Sequence, residues 1–356
     1  MIRPTATASE AWRNLRSGTS RALLLTLAFA VLVGTLAAVD TRAVVEVLRG
    51  AADFRAAGAA VQTLQAAGRV SGSQCDALGD VAGVRVGAFR GGEPLRALNL
   101  PSSRLGVFEV TPGLLDVLTG TTSATRSSGV WLSADLAEAL GAATGDRLAT
   151  SSGTATVAGV YSYPDDGRDR ALAYAVLAPV PATGTFDACW AEIWPTDAGS
   201  AALLHMALLP GTDLAEVTRD QLNTRWGTDH DARDLLAHRV TRHAPVAAVV
   251  AGFVLGLASV LVRRLELSAA LHARVPKAAL SWQVLLETLA WVFAGALIAG
   301  ACLLWLATWG NPDPGPETWW VGLRVVAAGA AATTIGALLG MLVTRERHLF
   351  RYFKDR

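Results

Sequence analysis

The sequence contains very little lysine and little charge of either sign. Only two of its 356 residues are lysines, Lys277 and Lys354, and charged residues make up 17% of the chain, with a formal net charge of +1. Such weak, balanced charge argues against a nucleic-acid-binding protein and against a chain that is disordered throughout. The hydrophobic share of 52% is instead typical of a membrane protein.

Several enzyme motifs are also absent. A phosphate-binding loop needs Gly-x-x-x-x-Gly-Lys-Ser/Thr, and neither lysine lies in such a run, so we expect no ATPase site in this chain. The patterns His-Glu-x-x-His and Gly-x-Ser-x-Gly do not occur either. We interpret His230, His238 and His243 as solvent-exposed histidines rather than metal or haem ligands. We therefore assign no catalytic residue and no metal site, and we expect that the chain is not an enzyme by itself.

Long apolar runs are what the chain has instead. Four segments are long enough to cross a bilayer, namely residues 22–39, 244–262, 280–309 and 320–344. A cleaved signal peptide is the alternative for the first segment, but its apolar run is long for that role and no clear Ala-x-Ala site precedes Asp40. We expect four membrane-spanning helices.

Basic residues predict the orientation of these spans. They cluster in residues 1–21, 263–279 and 345–356, which all fall on one side of the membrane. Because positive residues accumulate on the cytoplasmic side, we expect both termini in the cytoplasm of a bacterium, with the chain crossing its plasma membrane. The insert 40–243 and the short loop 310–319 are then extracytoplasmic. Residues 1–21 are interpreted as an amphipathic helix at the interface, or otherwise as a disordered basic tail.

The large insert predicts an α+β domain on helical stems. Apolar residues at helical spacing as far as Leu64 predict a first stem that continues the first span, and residues 231–246 predict a second stem with Pro245 as a kink. Between the stems we predict a hairpin over residues 83–100, a strand over 106–110 and a strand pair over 154–180. Helices are predicted after Thr111 and Ser133, the second ending at Gly141. We expect two small lobes.

Cysteine placement limits the disulfide pairing. Cys75 and Cys189 lie in the insert, whereas Cys302 lies in the third predicted span. A bond between Cys75 and Cys189 is the one pairing that fits an oxidising compartment, and two free thiols are the alternative.

Two features within the spans call for an explanation. Glu287 is a carboxylate inside the third span, where we favour a hydrogen bond to the loop or to the first helix over a proton-relay role. Two Gly-x-x-x-Gly patterns, Gly252 with Gly256 and Gly336 with Gly340, predict close helix packing, and chance and a dimer face remain equal explanations.

Several stretches resemble one family. They are EAWRNLRSGTSRALLLTLAFAV, VTPGLLDVL, GVWLSADLAEALGAATGDRLAT with TATVAGVY, and RRLELSAALHARVPKAALSWQVLLET. Together with the order of one span, a large domain and three spans, they resemble MacB/FtsX-type permeases, the membrane subunits of a class of ABC transporters. The resemblance covers most of the chain.

The resemblance implies a coupling helix in the loop 263–279. It would dock on a separate ABC ATPase that carries ATP and Mg²⁺, while this chain binds no cofactor. The implied coupling residues are Arg263, Arg264, Glu266, Leu267, Leu271, Arg274, Val275 and Lys277. The chain departs from the family at Arg274, where the family has a glycine, and it lacks the family's Pro-Ala-x-x-Ala ending.

The resemblance also implies partners and a function. A second permease subunit, identical or different, and an extracytoplasmic accessory protein would complete the assembly. The expected function is export or extraction of a drug, peptide, haem or lipid-linked substrate, driven by movement of the outer domain. An FtsX-like regulator of a cell-wall hydrolase is the first alternative, and a membrane sensor or adaptor is the second.

Overall fold

The computed structural model describes residues 4–98, 103–120, 128–151, 153–195, 200–227 and 230–345. The chain divides into two compact units. The helical unit comprises Met1–Arg49 and Ala232–Arg356, and the sheet unit comprises Gly50–Asp231. The predicted basic tail from residue 346 onward lies outside the described residues.

The described residues form ten α-helices and nine strands. The helices are α1 (Pro4–Ser17), α2 (Ala22–Ala56), α3 (Gly72–Ala77), α4 (Pro112–Thr119), α5 (Ala134–Leu140), α6 (Ala232–His238), α7 (Ala244–Leu261), α8 (Arg264–His272), α9 (Lys277–Thr308) and α10 (Pro316–Val343). The strands are β1 (Val61–Ser71), β2 (Val84–Gly91), β3 (Gly106–Val110), β4 (Val130–Ser133), β5 (Arg147–Thr150), β6 (Gly153–Tyr161), β7 (Ala175–Pro179), β8 (Thr185–Ile193) and β9 (Thr218–Gln221).

Four helical segments are long and apolar enough to cross a membrane. They are Ala22–Ala56, Val240–Leu261, Lys277–Thr308 and Pro316–Val343. Pro245 was predicted as a kink, but it lies in the first turn of α7. Proline is tolerated there because that turn leaves its N–H groups without intrahelical partners. The return segment is also less regular than predicted, since α6 is short and a 3-10 turn, Val240–His243, connects it to α7.

Both Gly-x-x-x-Gly patterns are used inside one chain, where α7 packs on α10. A Cβ atom on Gly252 would lie 2.3 Å from the carbonyl oxygen of Gly329, and one on Gly336 would lie 2.3 Å from that of Phe253. A Cβ atom on Gly340 would lie 3.0 Å from the Cβ atom of Val260. Glycine lets the two backbones approach this closely. Neither chance nor a dimer face is needed to explain these glycines.

The sheet unit is built on a single mixed sheet rather than on two lobes. Its strand order is β5-β6-β4-β7-β3-β2-β8-β1-β9. The pairs β3–β7 and β4–β6 are parallel, and the other neighbours are antiparallel. Two predicted pairings are wrong. Among the described residues, the predicted hairpin over 83–100 is not formed, because β2 pairs with β3 and β8. The two strands predicted to pair over residues 154–180, β6 and β7, are separated by β4.

The first stem ends earlier than predicted. Helix α2 stops at Ala56, and the apolar residues Val61 and Leu64 belong to strand β1. Gly58 has a φ of +74°, a left-handed conformation that a glycine adopts without a Cβ clash, so it permits the sharp change of direction. The apolar spacing of a buried strand was therefore mistaken for that of a helix.

Strand β8 is buried on both faces of the sheet. Ala188 and Trp190 pack with one hydrophobic cluster, whereas Cys189 and Ala191 pack with another. This alternation is the period of two expected of a strand. The predicted disulfide between Cys75 and Cys189 is present and joins α3 to β8.

The helix ends in the sheet unit lie where the sequence predicted them, although neither N-cap side chain makes a capping hydrogen bond. Thr111 and Ser133 occupy the N-cap positions of α4 and α5, and Gly141 ends α5 in a left-handed conformation. The side chain of Thr111 bonds to a strand instead, since its hydroxyl accepts a hydrogen bond from the backbone N–H of Ala88 at 2.9 Å. This bond ties α4 to strand β2.

Candidate functional site

Helix α8 lies at the turn between α7 and α9 and is packed firmly on the helical unit. Leu267 is 4% exposed and belongs to a hydrophobic cluster with Val260, Leu280, Val284 and Met341. Leu271 and Val275 are half-buried against the same cluster. In the structure these three residues pack on the chain's own helices, and their contact with a partner stays a prediction.

Glu287 is the centre of a polar network beside α8. The residue is 2% exposed, and its carboxylate accepts hydrogen bonds from Asn14 at 2.8 Å and from Gln283 at 3.2 Å. Arg263 forms an ion pair with it and a second ion pair with Glu266. A buried carboxylate needs such partners because its desolvation is costly. The structure thus gives Glu287 bonds both to the loop and to the first helix.

The network connects three elements that are far apart in the sequence. Asn14 belongs to α1, Arg263 precedes α8, and Glu287 lies in α9. Helix α1 also packs on α9, and in α1 Ala11 is buried while Trp12 is 61% exposed. The amphipathic pattern of α1 indicated a surface helix but gave no sign that Asn14 contributes to this network.

The turn after α8 has an unusual backbone. Arg274 has a φ of +63°, in the left-handed region that glycine favours. Pro276 then precedes the first residue of α9, and the Lys277 ammonium donates to the carbonyl oxygen of Leu342 at 2.9 Å. That carbonyl lies in the last turn of α10, so Lys277 supplies a cation where the helix dipole favours one.

The predicted coupling residues therefore separate into two groups. Arg263 is half-buried and Leu267 is buried, and both make contacts within the helical unit, while Lys277 is bonded to α10. Arg264 is half-buried, whereas Glu266 and Arg274 are exposed. Of the eight predicted coupling residues, only Glu266 and Arg274 are therefore exposed.

A cavity of about 400 Å³ lies between α1, α8 and α9. Its polar lining includes Glu10, Asn14 and Glu266, and its apolar lining includes Leu267 and Leu280. Helices α1 and α8 therefore both line this cavity.

A second buried carboxylate lies elsewhere in the helical unit. Asp40 in α2 is fully buried, and Arg239 donates to it at 3.0 Å. Arg324 of α10 reaches its other oxygen at 3.5 Å. Asp40 was predicted only as the first residue of the extracytoplasmic insert. Two sequence features could have indicated this ion pair. Asp40 directly follows an apolar run, and Arg324 is isolated near the start of the last span.

The histidines differ from the prediction at one position. His238 and His243 are exposed, but His230 is half-buried and stacks on Phe54 and Trp194, with ring centroids 5.3 Å and 6.2 Å apart. Among the residues that the structure describes, no group of three metal-ligating side chains occurs.

The four apolar helices and the mixed sheet define a membrane protein with an α+β domain. The disulfide indicates an oxidising compartment. No protein-family model matches the sequence, and no curated protein matches it significantly. Among solved structures, a similar chain is a domain assigned to a permease from Porphyromonas gingivalis. It is 18% identical over 50% of this chain and 95% of that domain, with a TM-score of 0.31. A likeness this weak establishes neither a common fold nor a common activity.

Proposed function

We propose that the protein is the membrane subunit of an ATP-driven permease complex of the MacB/FtsX type. A separate ABC ATPase would bind ATP and Mg²⁺ and dock on α8 from the cytoplasm. A second permease subunit would complete the complex. Movement of α8 would then drive the sheet unit on the other side of the membrane to export or extract a substrate.

One observation supports this proposal above the others, namely the rigid attachment of α8. Leu267 is buried among helices α7, α9 and α10, and Arg263 ties the start of α8 to Glu287. A force applied to α8 would therefore reach the neighbouring helices instead of being absorbed by a flexible loop. Glu266 and Arg274 remain exposed for recognition by a partner.

The test is purification of the full chain from its native membranes in mild detergent. We expect an ATPase to accompany it at one copy per permease subunit. The variant Arg274→Glu reverses an exposed charge and should remove the ATPase. The control Arg170→Glu makes the same charge change at a side chain in the sheet unit that is 74% exposed, and it should leave the ATPase bound.

The result that overturns the proposal is equally specific. If no ATPase accompanies the wild-type chain in several mild detergents, the ABC assignment fails. If the ATPase is present and Arg274→Glu and Arg170→Glu retain it equally, α8 is not its docking site.

A further inference from the structure

The sheet unit contains a cavity of about 380 Å³ beside the last turn of α2. Strand β1, helix α4 and the segment after β9 supply its apolar walls through Val61, Val117 and Leu222. Its size is within the range of small-molecule sites, which are mostly apolar with a few placed polar groups. The proposed role of α8 makes no use of this cavity.

Three arginine side chains from distant parts of the sequence meet at this cavity. They are Arg55, Arg85 and Arg168, whose side chains are 40%, 26% and 7% exposed. Withdrawing cations from water is costly unless other groups compensate for the loss of hydration. Of the three, Arg168 is the most buried and Arg55 is exposed, and all three place positive charge at one concave surface.

The neighbouring carboxylates only partly neutralise the positive charge of the three arginines. Glu192, whose side chain is 4% exposed, is shared by Arg55 and Arg85, and Asp166 pairs with Arg168. Three guanidinium groups and two carboxylates leave one net positive charge among these five groups. Both oxygens of Glu192 are already occupied by the arginines.

The arginines also retain unused hydrogen-bond donors. Arg55 uses Nε and Nη2 for Glu192, and Arg168 uses Nε and Nη2 for Asp166 and for the carbonyl of Ala56. Among the described residues, no hydrogen bond occupies Nη1 of Arg55 or of Arg168. A guanidinium presents its donors in a planar fork that matches carboxylate and phosphate oxygens.

We propose that this cavity binds an organic oxyanion, a carboxylate or phosphate joined to an apolar group. The oxyanion would accept hydrogen bonds from Arg55 and Arg168 and neutralise the remaining positive charge. The apolar group would lie against Val61, Val117 and Leu222. A free metabolite and a lipid headgroup present the same chemistry, and the experiment distinguishes them.

The test uses the full chain in nanodiscs of neutral lipid and measures binding by isothermal titration calorimetry. The probes are phenyl phosphate, benzoate and the neutral analogue benzyl alcohol. We expect both anions to bind with dissociation constants below roughly 1 mM and benzyl alcohol to bind at least about ten-fold more weakly. Displacement of phenyl phosphate by a soluble lysophospholipid with a phosphate headgroup identifies a lipid, and its failure to compete identifies a free anion.

Two variants and a matched control locate the site. Arg55→Gln should weaken phenyl phosphate binding at least about ten-fold, whereas Arg170→Gln, which removes an exposed arginine outside the cavity, should change it by less than about two-fold. Leu118→Trp fills the cavity without changing its charge, so it should also abolish binding. This variant tests the site if Arg55→Gln does not fold. The proposal is overturned if neither anion binds up to roughly 10 mM. Equal binding of benzyl alcohol, or equal weakening by Arg170→Gln, overturns it as well.

Discussion

Arg263 pairs with Glu287 and thereby joins the residue before α8 to the interior of α9. Their side chains are 10% and 3% exposed, so each protects the other from an uncompensated buried charge. Asn14 donates to the other oxygen of the same carboxylate. The carboxylate of Glu287 therefore links α1, the residue before α8 and α9.

The first prediction concerns this pair. Glu287→Ala should lower the free energy of unfolding by about 3–5 kcal/mol, because it leaves Arg263 without its buried partner. Glu287→Gln should cost less, since its amide oxygen still accepts from Asn14. Thermal unfolding of the full chain in detergent measures both. A double variant, Arg263→Met with Glu287→Met, should be more stable than Glu287→Ala, and the opposite order would contradict a structural role for the pair.

The second prediction concerns the packing of α7 on α10. A Cβ atom on Gly256 would lie 2.0 Å from the carbonyl oxygen of Thr333, so the helices must move apart in Gly256→Ala. We expect a loss of about 1–3 kcal/mol in stability. Gly300→Ala in α9 is the matched control, because its Cβ atom would have no neighbour within 4 Å. Equal melting temperatures for the two variants would show that α7 and α10 do not pack this closely.

The third prediction concerns the backbone at Arg274. Its φ of +63° strains any residue with a Cβ atom, so Arg274→Gly should raise the stability by about 0.5–1 kcal/mol. Arg274→Ala removes the same side chain but keeps the strain, and it should bring no such gain. Thermal unfolding of both variants in detergent separates the backbone effect from the loss of charge.

The fourth prediction concerns alkaline pH. Burial raises the pKa of Tyr161, whose hydroxyl donates to the carbonyl oxygen of Leu172 at 2.7 Å. Tyrosine in the unfolded chain ionises near its ordinary pKa of 10.0, before the folded form does, so stability is intact below that pH and is lost as the pH rises above it. Melting temperatures measured from neutral to alkaline pH should show this decline.

Two variants identify the group responsible for that decline. Tyr161→Phe should make the melting temperature less sensitive to alkaline pH, although the raised pKa of Tyr163 leaves part of the effect. Tyr174→Phe is the control, because Tyr174 is 48% exposed. If both variants respond to pH as the wild type does, the burial of Tyr161 does not cause the decline.

The sequence was most informative where local chemistry decides the structure. Uninterrupted apolar runs predicted the long helices, and Thr111, Ser133 and Gly141 marked helix ends correctly. The disulfide followed from the placement of Cys75 and Cys189.

Contacts between residues that are distant in the sequence were much harder to predict. The position of β4 between β6 and β7 depends on pairing across the whole sheet, which no local pattern encodes. The same holds for Arg55, Arg85 and Arg168, which meet at one cavity although ordinary surface arginines would look identical in the sequence. Glu287 stood out because a carboxylate is rare in an apolar run, yet its partner Asn14 did not.

The strand order also constrains biosynthesis. Strand β1 is made early, but its neighbours are β8 and β9, which the ribosome adds more than a hundred residues later. Strand β1 therefore stays unpaired on both edges until most of the sheet unit has been translated. Translation that stops before β8 would leave an aggregation-prone fragment, whereas termination after β9 would release a chain with every strand of the sheet.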